Sequence, residues 1–299
     1  MRFSFWPGPN NTWADTLELV RHAESTGWDG AWFADHFMPN TPEAAGPTSE
    51  CWTTLAGLAA AVPRIRLGAL VSGNTYRHPA VLANIAATAD NISGGRIVLG
   101  LGAGWQENEH QKYGIPFYTL KERMDRFDEA CQVVTGLLNN ERATFQGRFY
   151  QLDDAPLDPK PVQQPLPLLV GGGGEKRTLR IAAKYANEWN VWGTPEVLKH
   201  KMGVLDQHCA DIGRDPAQIE RSAQALIFLT DDPAVKERAA GGGRAAIAGT
   251  PGEVRAVIEQ FRDIGLNEFI VPDFTLGRSV DQKKTAMDTF ISEVAKGLR

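Results

Sequence analysis

Asp35 and His36 stand side by side in the sequence and could carry out acid–base chemistry. They follow an apolar segment that is typical of a β-strand, and α/β barrels place their catalytic groups at the carboxyl ends of strands. Imidazole exchanges protons readily near neutral pH, so a histidine in this position can act as a general acid or base. The competing interpretation is a His36 side chain that caps the loop beside a solvated Asp35.

Four consecutive glycines at residues 171–174 follow another apolar segment and precede a predicted helix that begins at Glu175. Without Cβ atoms, their backbone N–H groups can turn towards a ligand, and the amino end of a helix adds partial positive charge. We therefore predict a phosphate-binding cup, to which Arg177 and Thr178 add direct donors. A tight strand-to-helix turn is the alternative, although one or two glycines would suffice for it.

A second glycine-rich segment spans residues 100–105 and ends in Trp105. It fails the dinucleotide fingerprint because Trp105 occupies the last glycine position and no helix is predicted to follow at once. We interpret it as backbone that lies low beside a flat ring, with Trp105 as a wall and with Asn108 and Glu109 in reach of the ligand. A purely structural glycine turn remains the alternative. Residues 72–79 add further polar groups after the third predicted strand.

Short apolar runs alternate with longer amphipathic segments along the whole chain, which predicts repeated βα units. The predicted strands are residues 2–6, 29–34, 65–72, 96–100, 168–171, 188–192, 222–229 and 268–271. The predicted helices are residues 15–26, 51–61, 79–92, 120–138, 175–186, 195–212, 251–264 and 280–298. Eight such pairs favour a closed (β/α)8 barrel over an open doubly wound sheet, which usually has fewer strands and a switch in strand order.

Two segments interrupt this alternation. Residues 139–165 show strand-type patterning around Gly147, which predicts a β-hairpin, and they end in a proline-rich run. Residues 231–249 contain three consecutive glycines and are predicted to be mobile. No second domain is indicated, so residues 1–299 are predicted to form a single barrel domain with these two insertions.

Composition excludes several classes of function. The chain has 299 residues, of which 42% are hydrophobic and 22% charged, with a net charge of −5 and no basic block. Neither nucleic acid nor an anionic membrane surface is therefore an expected partner. Three widely spaced cysteines without a CxxC motif argue against a disulfide framework or a zinc site. With no long apolar segment, the sequence predicts a cytoplasmic protein that binds no metal and does not span a membrane.

Several motifs, taken in order, resemble the luciferase-like monooxygenase superfamily. Within it the chain is most similar to the oxidoreductases that depend on the deazaflavin coenzyme F420. The resemblance runs from the first strand to about Asn190 and resumes at residues 249–254. The matching segments are residues 32–37 (Trp-Phe-Ala-Asp-His-Phe), 73–79 (Gly-Asn-Thr-Tyr-Arg-His-Pro), 93–105 (Ser-Gly-Gly-Arg-Ile-Val-Leu-Gly-Leu-Gly-Ala-Gly-Trp) and 170–174 (Val-Gly-Gly-Gly-Gly).

This resemblance implies a TIM-type barrel of the bacterial luciferase type, usually dimeric, with the flavin-like ring in the barrel mouth. It implies that Asp35 contacts the cofactor, that His36 is the acid/base, and that a non-proline cis peptide bond lies between Ala69 and Gly73. The predicted cofactor-binding residues are Asp35, Ser72, Gly73, Gly102, Gly104, Asn108, Gly172, Gly173, Gly174, Arg177 and Thr178.

One position departs from the family pattern. Trp105 stands where the sugar-phosphate dehydrogenases of the family have a glutamate that works in proton transfer. The nearest acids, Glu107 and Glu109, are displaced along the sequence. The resemblance therefore speaks against a sugar-phosphate substrate.

Three functional hypotheses follow. The first is an F420-dependent oxidoreductase that transfers a hydride between the deazaflavin C5 and a small organic substrate, with His36 moving a proton under the influence of Asp35. The second is an FMN-dependent monooxygenase that uses oxygen and reduced flavin from a separate reductase. The third is a barrel that binds flavin without turnover, against which the Asp35–His36 pair counts. The expected partners are a small-molecule substrate and, for a homodimer, a second copy of the chain.

Overall fold

Eight parallel strands close into a ring in the computed structural model, which describes residues 1–299. The strands are β1 (Arg2–Trp6), β2 (Gly30–Phe33), β3 (Arg66–Ala69), β4 (Ser72–Gly73), β5 (Ile97–Gly102), β6 (Arg142–Gln146), β7 (Gln151–Pro156), β8 (Leu168–Gly171), β9 (Glu188–Trp192), β10 (Glu220–Gln224), β11 (Leu226–Leu229), β12 (Ala246–Gly249) and β13 (Glu268–Pro272). The ring order is β1, β2, β3 with β4, β5, β8, β9, β10 and β13, and parallel pairing of β13 with β1 and of β3 with β5 completes it. The prediction of a (β/α)8 barrel is confirmed.

Helices surround the ring and follow its strands. They are α1 (Trp13–Thr26), α2 (Cys51–Ala61), α3 (Pro79–Ser93), α4 (Glu107–Tyr113), α5 (Leu120–Asn139), α6 (Thr178–Tyr185), α7 (Pro195–Asp211), α8 (Pro233–Ala240), α9 (Pro251–Asp263) and α10 (Val280–Thr289). Apolar stripes at helical spacing pack against the outward faces of the strands, as in α5, which buries Phe127, Cys131 and Val134. The helices α4 and α8 lie in loops at the carboxyl end of the barrel. None of the helices is both long and apolar enough to traverse a lipid bilayer.

A layer of charged side chains closes the amino end of the barrel. Arg66 bonds to Glu188 at 2.5 Å and to Glu268 at 3.2 Å, and Arg2 bonds to Glu268 at 3.3 Å and to Glu220. These five residues stand at the first position of strands β1, β3, β9, β10 and β13. Because successive strand residues alternate between inside and outside, residues at equivalent positions of the strands meet inside the barrel.

Apolar side chains fill the barrel above this layer. Val71 lies in the space that three inward-facing glycines leave free: a Cβ atom at Gly102 or Gly171 would come within 2.8 Å of its methyl groups, and one at Gly100 within 3.1 Å. The Leu70–Val71 peptide bond is cis and falls within the stretch for which the family resemblance implies such a bond. Val71 therefore forms a floor beneath the carboxyl mouth of the barrel.

Two predicted strands are each divided in the structure. The predicted strand 65–72 separates into β3 and β4, because the consecutive residues Leu70 and Val71 both contact the interior cluster and so break the alternation of a strand. The predicted strand 222–229 separates into β10, which belongs to the ring, and β11, which pairs with β12 outside it.

Both insertions contain regular structure. The hairpin predicted within residues 139–165 is confirmed as the antiparallel pair β6 and β7. Residues 231–249, predicted only as a mobile segment, hold α8 and β12. These two elements were not predicted because they are short. Helix α8 has only eight residues, five of them exposed, and β12 has only four residues.

Candidate active site

The His36 imidazole is bonded to a buried carboxylate at the mouth of the barrel. His36 follows β2, and its Nδ1 atom lies 2.8 Å from Oε1 of Glu109 on α4. The side chain of Glu109 has no exposed surface, whereas that of His36 is 22% exposed. His36 Nε2 makes no hydrogen bond within the chain. The imidazole therefore has one nitrogen held by the protein and one free for a ligand.

Glu109 accepts hydrogen bonds from three directions. Besides His36, the Phe37 backbone N–H donates to Oε2 at 2.8 Å, and the Tyr76 hydroxyl donates to Oε1. Burial alone would favour the neutral acid, but the hydrogen bonds from His36, Phe37 and Tyr76 outweigh it and hold the pKa of Glu109 below its usual range. Burial, together with the bond to Glu109, raises the pKa of Tyr76. Glu109 is therefore a carboxylate and Tyr76 a neutral phenol at neutral pH.

An ionised Glu109 determines the tautomer of His36. A carboxylate can only accept hydrogen bonds, so a neutral His36 must carry its proton on Nδ1 and donate it to Glu109. The lone pair then lies on Nε2, which can accept a proton from a ligand. The imidazolium formed in this way is stabilised by the adjacent carboxylate. The site has the arrangement of a general base with an orienting acid.

Asp35 does not bond to His36, and the expectation that Asp35 steers the protonation of His36 is wrong. The Asp35 carboxylate, which is buried, accepts two hydrogen bonds from Arg77, at 2.6 and 3.0 Å, and one from the Gly73 N–H at 3.2 Å. Burial raises the pKa of Asp35, and the hydrogen bonds from Arg77 oppose that rise. Arg77 also bonds to Glu50, which caps the amino end of α2. Asp35 thus ties the loop after β2 to the loop after β4.

Side-chain amides fix the helix α4 to backbone carbonyls of the loop after β2. The Gln106 amide donates to the Met38 carbonyl at 2.8 Å, and the Asn108 amide donates to the Pro39 carbonyl at 3.0 Å. His110 bonds to the Gln106 carbonyl and to the Thr75 hydroxyl, each at 2.7 Å. These contacts bring Glu109 to His36 across 73 residues of sequence. Asn108 retains a buried Oδ1 atom without a hydrogen-bond partner.

The glycines after β8 form an open turn before α6. Gly172 has a φ of +120°, a conformation that a side chain would strain, and its N–H bonds to the Asn190 carbonyl at 2.9 Å. The Thr178 side chain faces the turn, because a Cβ atom at Gly174 would come within 2.8 Å of its hydroxyl oxygen. The helix begins at Thr178 and not at Glu175 as predicted, so residues 175–177 form a turn between the glycines and the helix.

Arg177 does not reach this turn in the structure. Its guanidinium bonds to the Asp125 carboxylate at 2.5 Å and to the Lys121 carbonyl at 3.1 Å, both on α5. Its predicted role as a phosphate ligand thus has no support in the structure. The difference arises because Arg177 is the residue before the first turn of α6 and turns outwards towards the acidic face of α5.

The other predicted residues lie around the Val71 floor. Ser72 and Gly73 form β4 and pair with Leu101 and Gly102. The Ser72 hydroxyl accepts a hydrogen bond from the Trp52 indole at 2.9 Å. Gly104 has a φ of +83°, and a Cβ atom there would collide with the Thr75 hydroxyl.

Aromatic side chains rise on both sides of the mouth. Trp105 is 55% exposed and meets the His36 ring edge-on, with ring centroids 5.4 Å apart. At the end of β1, the neighbour of β2, Trp6 contacts Trp192 and Phe274, with centroid distances of 5.8 and 5.4 Å. Trp105 therefore forms a wall beside His36. The carboxylate nearest to His36 is Glu109, which the sequence analysis names only as a group in reach of the ligand.

The residues present fit a flat ring joined to a phosphate. The glycines at positions 100, 102 and 171 leave the space that Val71 occupies, and they carry no side chains that could project over it. The buried, unpartnered Oδ1 of Asn108 offers an acceptor, and Gly173, Gly174 and Thr178 form an open turn with N–H and hydroxyl donors. The mouth of this barrel thus combines a turn with anion-binding donors and a histidine–carboxylate pair able to move a proton.

Comparison with known proteins places the chain in one family. The luciferase-like monooxygenase domain matches residues 1–270, and the chain belongs to this family. It is 32% identical over 222 residues to the F420-dependent glucose-6-phosphate dehydrogenase of Kineococcus radiotolerans, covering 73% of this chain and 64% of that protein. It is 28% identical to a protein of the same name from Intrasporangium calvum, over 94% of this chain and 95% of that one.

The fold is shared with a solved structure, the coenzyme F420-dependent tetrahydromethanopterin reductase of Methanopyrus kandleri. The TM-score is 0.82 at 21% identity, and the superposition covers 100% of this chain and 99% of that one. At this level of identity the similarity concerns the fold alone. The matched part of the Kineococcus enzyme is slightly less than two thirds of its length.

Proposed function

We propose that this protein is an F420-dependent oxidoreductase that transfers a hydride between the cofactor and a small organic substrate. The observation that carries the proposal is the His36–Glu109 pair, whose free Nε2 opens onto a glycine-lined mouth. The family membership and the F420-dependent relatives support the choice of cofactor. When bound, the deazaflavin supplies the carbon that gives or accepts the hydride.

The cofactor would be held at its two ends by different parts of the site. Gly173, Gly174 and Thr178 would bind its phosphate through N–H and hydroxyl donors, and Gly172, whose N–H bonds to Asn190, would let the chain pass close to it. Val71 and the backbone of Gly102 and Gly104 would support the ring, and the Ser72–Gly73 strand would border it. Asn108 would accept a hydrogen bond at the ring edge through its free Oδ1. Asp35 would act by holding Arg77 and Gly73 in place, since its carboxylate is already occupied.

His36 would move the proton that accompanies the hydride. In the direction of substrate oxidation, its Nε2 accepts the proton of a substrate hydroxyl, and the carboxylate of Glu109 stabilises the imidazolium. In the reverse direction, the imidazolium returns the proton to the product oxygen. Trp105 excludes water from one side of this exchange and positions the His36 ring. The protein thus provides orientation and the proton, while the cofactor provides the electrons.

The competing hypothesis is an FMN-dependent monooxygenase that receives reduced flavin from a separate reductase. Titration of the purified protein with F420 and, separately, with FMN distinguishes the two, with binding followed by fluorescence quenching. We expect F420 to bind at least about tenfold more tightly, since tenfold corresponds to about 1.4 kcal/mol. Tight binding of FMN together with no binding of F420 would refute the proposal.

We also infer a homodimer in solution, on the basis of the family resemblance. Multi-angle light scattering would give twice the chain mass of 32.7 kDa. A mass of a single chain across the accessible concentration range would contradict this inference. The acid–base site described above lies within one chain and does not depend on this outcome.

A further inference from the structure

Three aromatic side chains at the ends of neighbouring parts of the barrel form a wall at the mouth on a rigid support. Trp6 ends β1, Trp192 ends β9, and Phe274 follows β13. The loop that carries Phe274 is anchored by Asp273, which is buried and accepts hydrogen bonds from the Gly8 N–H at 3.0 Å and from Lys283 at 2.6 Å. The wall therefore offers an apolar surface of rings inclined at 50° and 61° to Trp6, and its geometry is set before a ligand arrives.

Two polar atoms in this part of the barrel have no partner. Nε1 of Trp6 and Oε1 of Gln224 make no hydrogen bond, although both atoms are fully buried. The two residues are only 7% and 3% exposed. Buried polar atoms in folded proteins are normally paired with protein, water or ligand. A ligand that lies against the wall can accept a hydrogen bond from the Trp6 indole N–H. The mechanism at His36 uses neither of these groups.

The positively charged side chain of Arg244 lies next to the same wall. The Arg244 guanidinium lies 5.4 Å from the centre of the Trp192 ring. It has no carboxylate within 4 Å, in contrast to Lys236 of the same insertion, which pairs with Glu253. Arg244 follows three consecutive glycines and is exposed, so its backbone is adaptable and its charge is available to a ligand. A guanidinium presents paired N–H donors that match carboxylate and phosphate oxygens.

We propose that the substrate is a small organic anion with a flat apolar body, which binds to Trp6, Trp192 and Phe274 and places its anionic group against Arg244. This inference rests on the proposed function, because it assigns the substrate class of that same site. The Trp6 indole N–H donates to an oxygen of the ligand body. The shared chemistry is a carboxylate or a phosphate monoester on an aromatic or similarly flat molecule.

The test compares matched ligands by isothermal titration calorimetry on the protein with and without F420. The ligands are 4-acetylbenzoate, its neutral amide 4-acetylbenzamide, and 4-acetylphenyl phosphate. We expect at least one of the two anions to bind about tenfold more tightly than the amide, because hydrogen bonds to charged groups contribute more than those to neutral groups. The tighter of the two anions identifies the carboxylate or the phosphate as the preferred group.

Variants connect this preference to the residues. Arg244→Gln should abolish the preference for the anion, whereas Arg238→Gln, which removes an equal charge from exposed α8, should retain it. Trp6→Phe should weaken all three ligands by a similar factor, because it removes the indole donor and part of the ring but leaves the charge of Arg244 in place. Equal binding of the anions and the amide by the unmodified protein, or an equal loss in both arginine variants, would overturn the proposal. F420 affinity, measured separately in each variant, reports on the proposed function and distinguishes its failure from that of the substrate assignment.

Discussion

The substitution Glu109→Gln should change the tautomer of His36 without emptying the site. Glu109 accepts bonds from His36 and from the Phe37 N–H, each at 2.8 Å, and from Tyr76. A hydrogen bond to a charged group contributes about 1.5–3 kcal/mol and one to a neutral group about 0.5–1.5 kcal/mol. Loss of the charge therefore costs about 1 kcal/mol per bond. For three bonds, the free energy of unfolding should fall by about 3 kcal/mol.

The functional consequence follows from the geometry of an amide. Glutamine presents one oxygen and one NH2 group, so it cannot accept bonds on both sides as the carboxylate does. If the NH2 group faces His36, the Nδ1 atom becomes an acceptor and Nε2 carries the proton. Turnover should then fall by about 10²-fold or more, since a positioned general base contributes about 10²–10⁴-fold. Cofactor affinity should change little.

Nitrogen-15 NMR of histidine-labelled protein measures the tautomer directly, with the His36 signal assigned by comparison with a His36→Gln sample. The unmodified protein should show a neutral imidazole protonated on Nδ1, and the Glu109→Gln variant should lose that signature. Glu107→Gln is a matched control on the same helix, because Glu107 is exposed and bonds only to Gln111. A His36 spectrum and a turnover that are the same in both variants would show that Glu109 does not orient His36.

Three further outcomes are expected. His36→Ala should leave the F420 dissociation constant within about twofold while turnover falls by about 10² or more; unchanged turnover would remove His36 from the acid–base role. Gly172→Ala should weaken cofactor binding and lower the free energy of unfolding by about 1–3 kcal/mol, because φ is +120° there. The control Gly203→Ala, on α7 with open space around it, should change neither quantity. Calorimetry measures the cofactor affinity and urea titration measures the free energy of unfolding. The Lys236 and Thr250 bonds lower the pKa of Glu253 from 4.5 to about 2, so the contribution of Glu253 to stability is full above pH 4.5 and is lost as the pH falls towards 2. The difference in unfolding free energy between the unmodified protein and Glu253→Gln should therefore shrink over that range. A difference that stays constant with pH would contradict the assignment.

The repeating pattern of the fold was predictable from sequence because each βα unit is locally encoded. Strand and helix periods alternate throughout the chain, and eight pairs suffice to close a barrel. The exceptions are local breaks of period. Leu70 and Val71 both face the interior, and Ala225 separates β10 from β11, so neither interruption changes the apolar composition from which a strand is predicted.

The sequence indicated candidate residues for the site more readily than it indicated which of them contact one another. His36, the glycine turn and Thr178 could be named because strand ends and glycine runs are visible in the sequence. The partner of His36 could not, since Glu109 lies on a helix of seven residues with no apolar periodicity. Asp35 is adjacent to His36 in sequence but turns towards Arg77. The available signal was the pair of acidic residues that follows residues 100–105, Glu107 and Glu109. It did not indicate which of the two carboxylates contacts His36.

The charged layer at the amino end of the barrel has a consequence for kinetics. Because this layer closes the amino end, ligands can exchange only through the mouth above Val71. The layer consists of Arg2, Arg66, Glu188, Glu220 and Glu268. A cofactor ring seated on Val71 would lie below any substrate stacked over it. Binding should then be ordered, with the cofactor first to enter and last to leave. Excess substrate should accordingly slow the release of the cofactor.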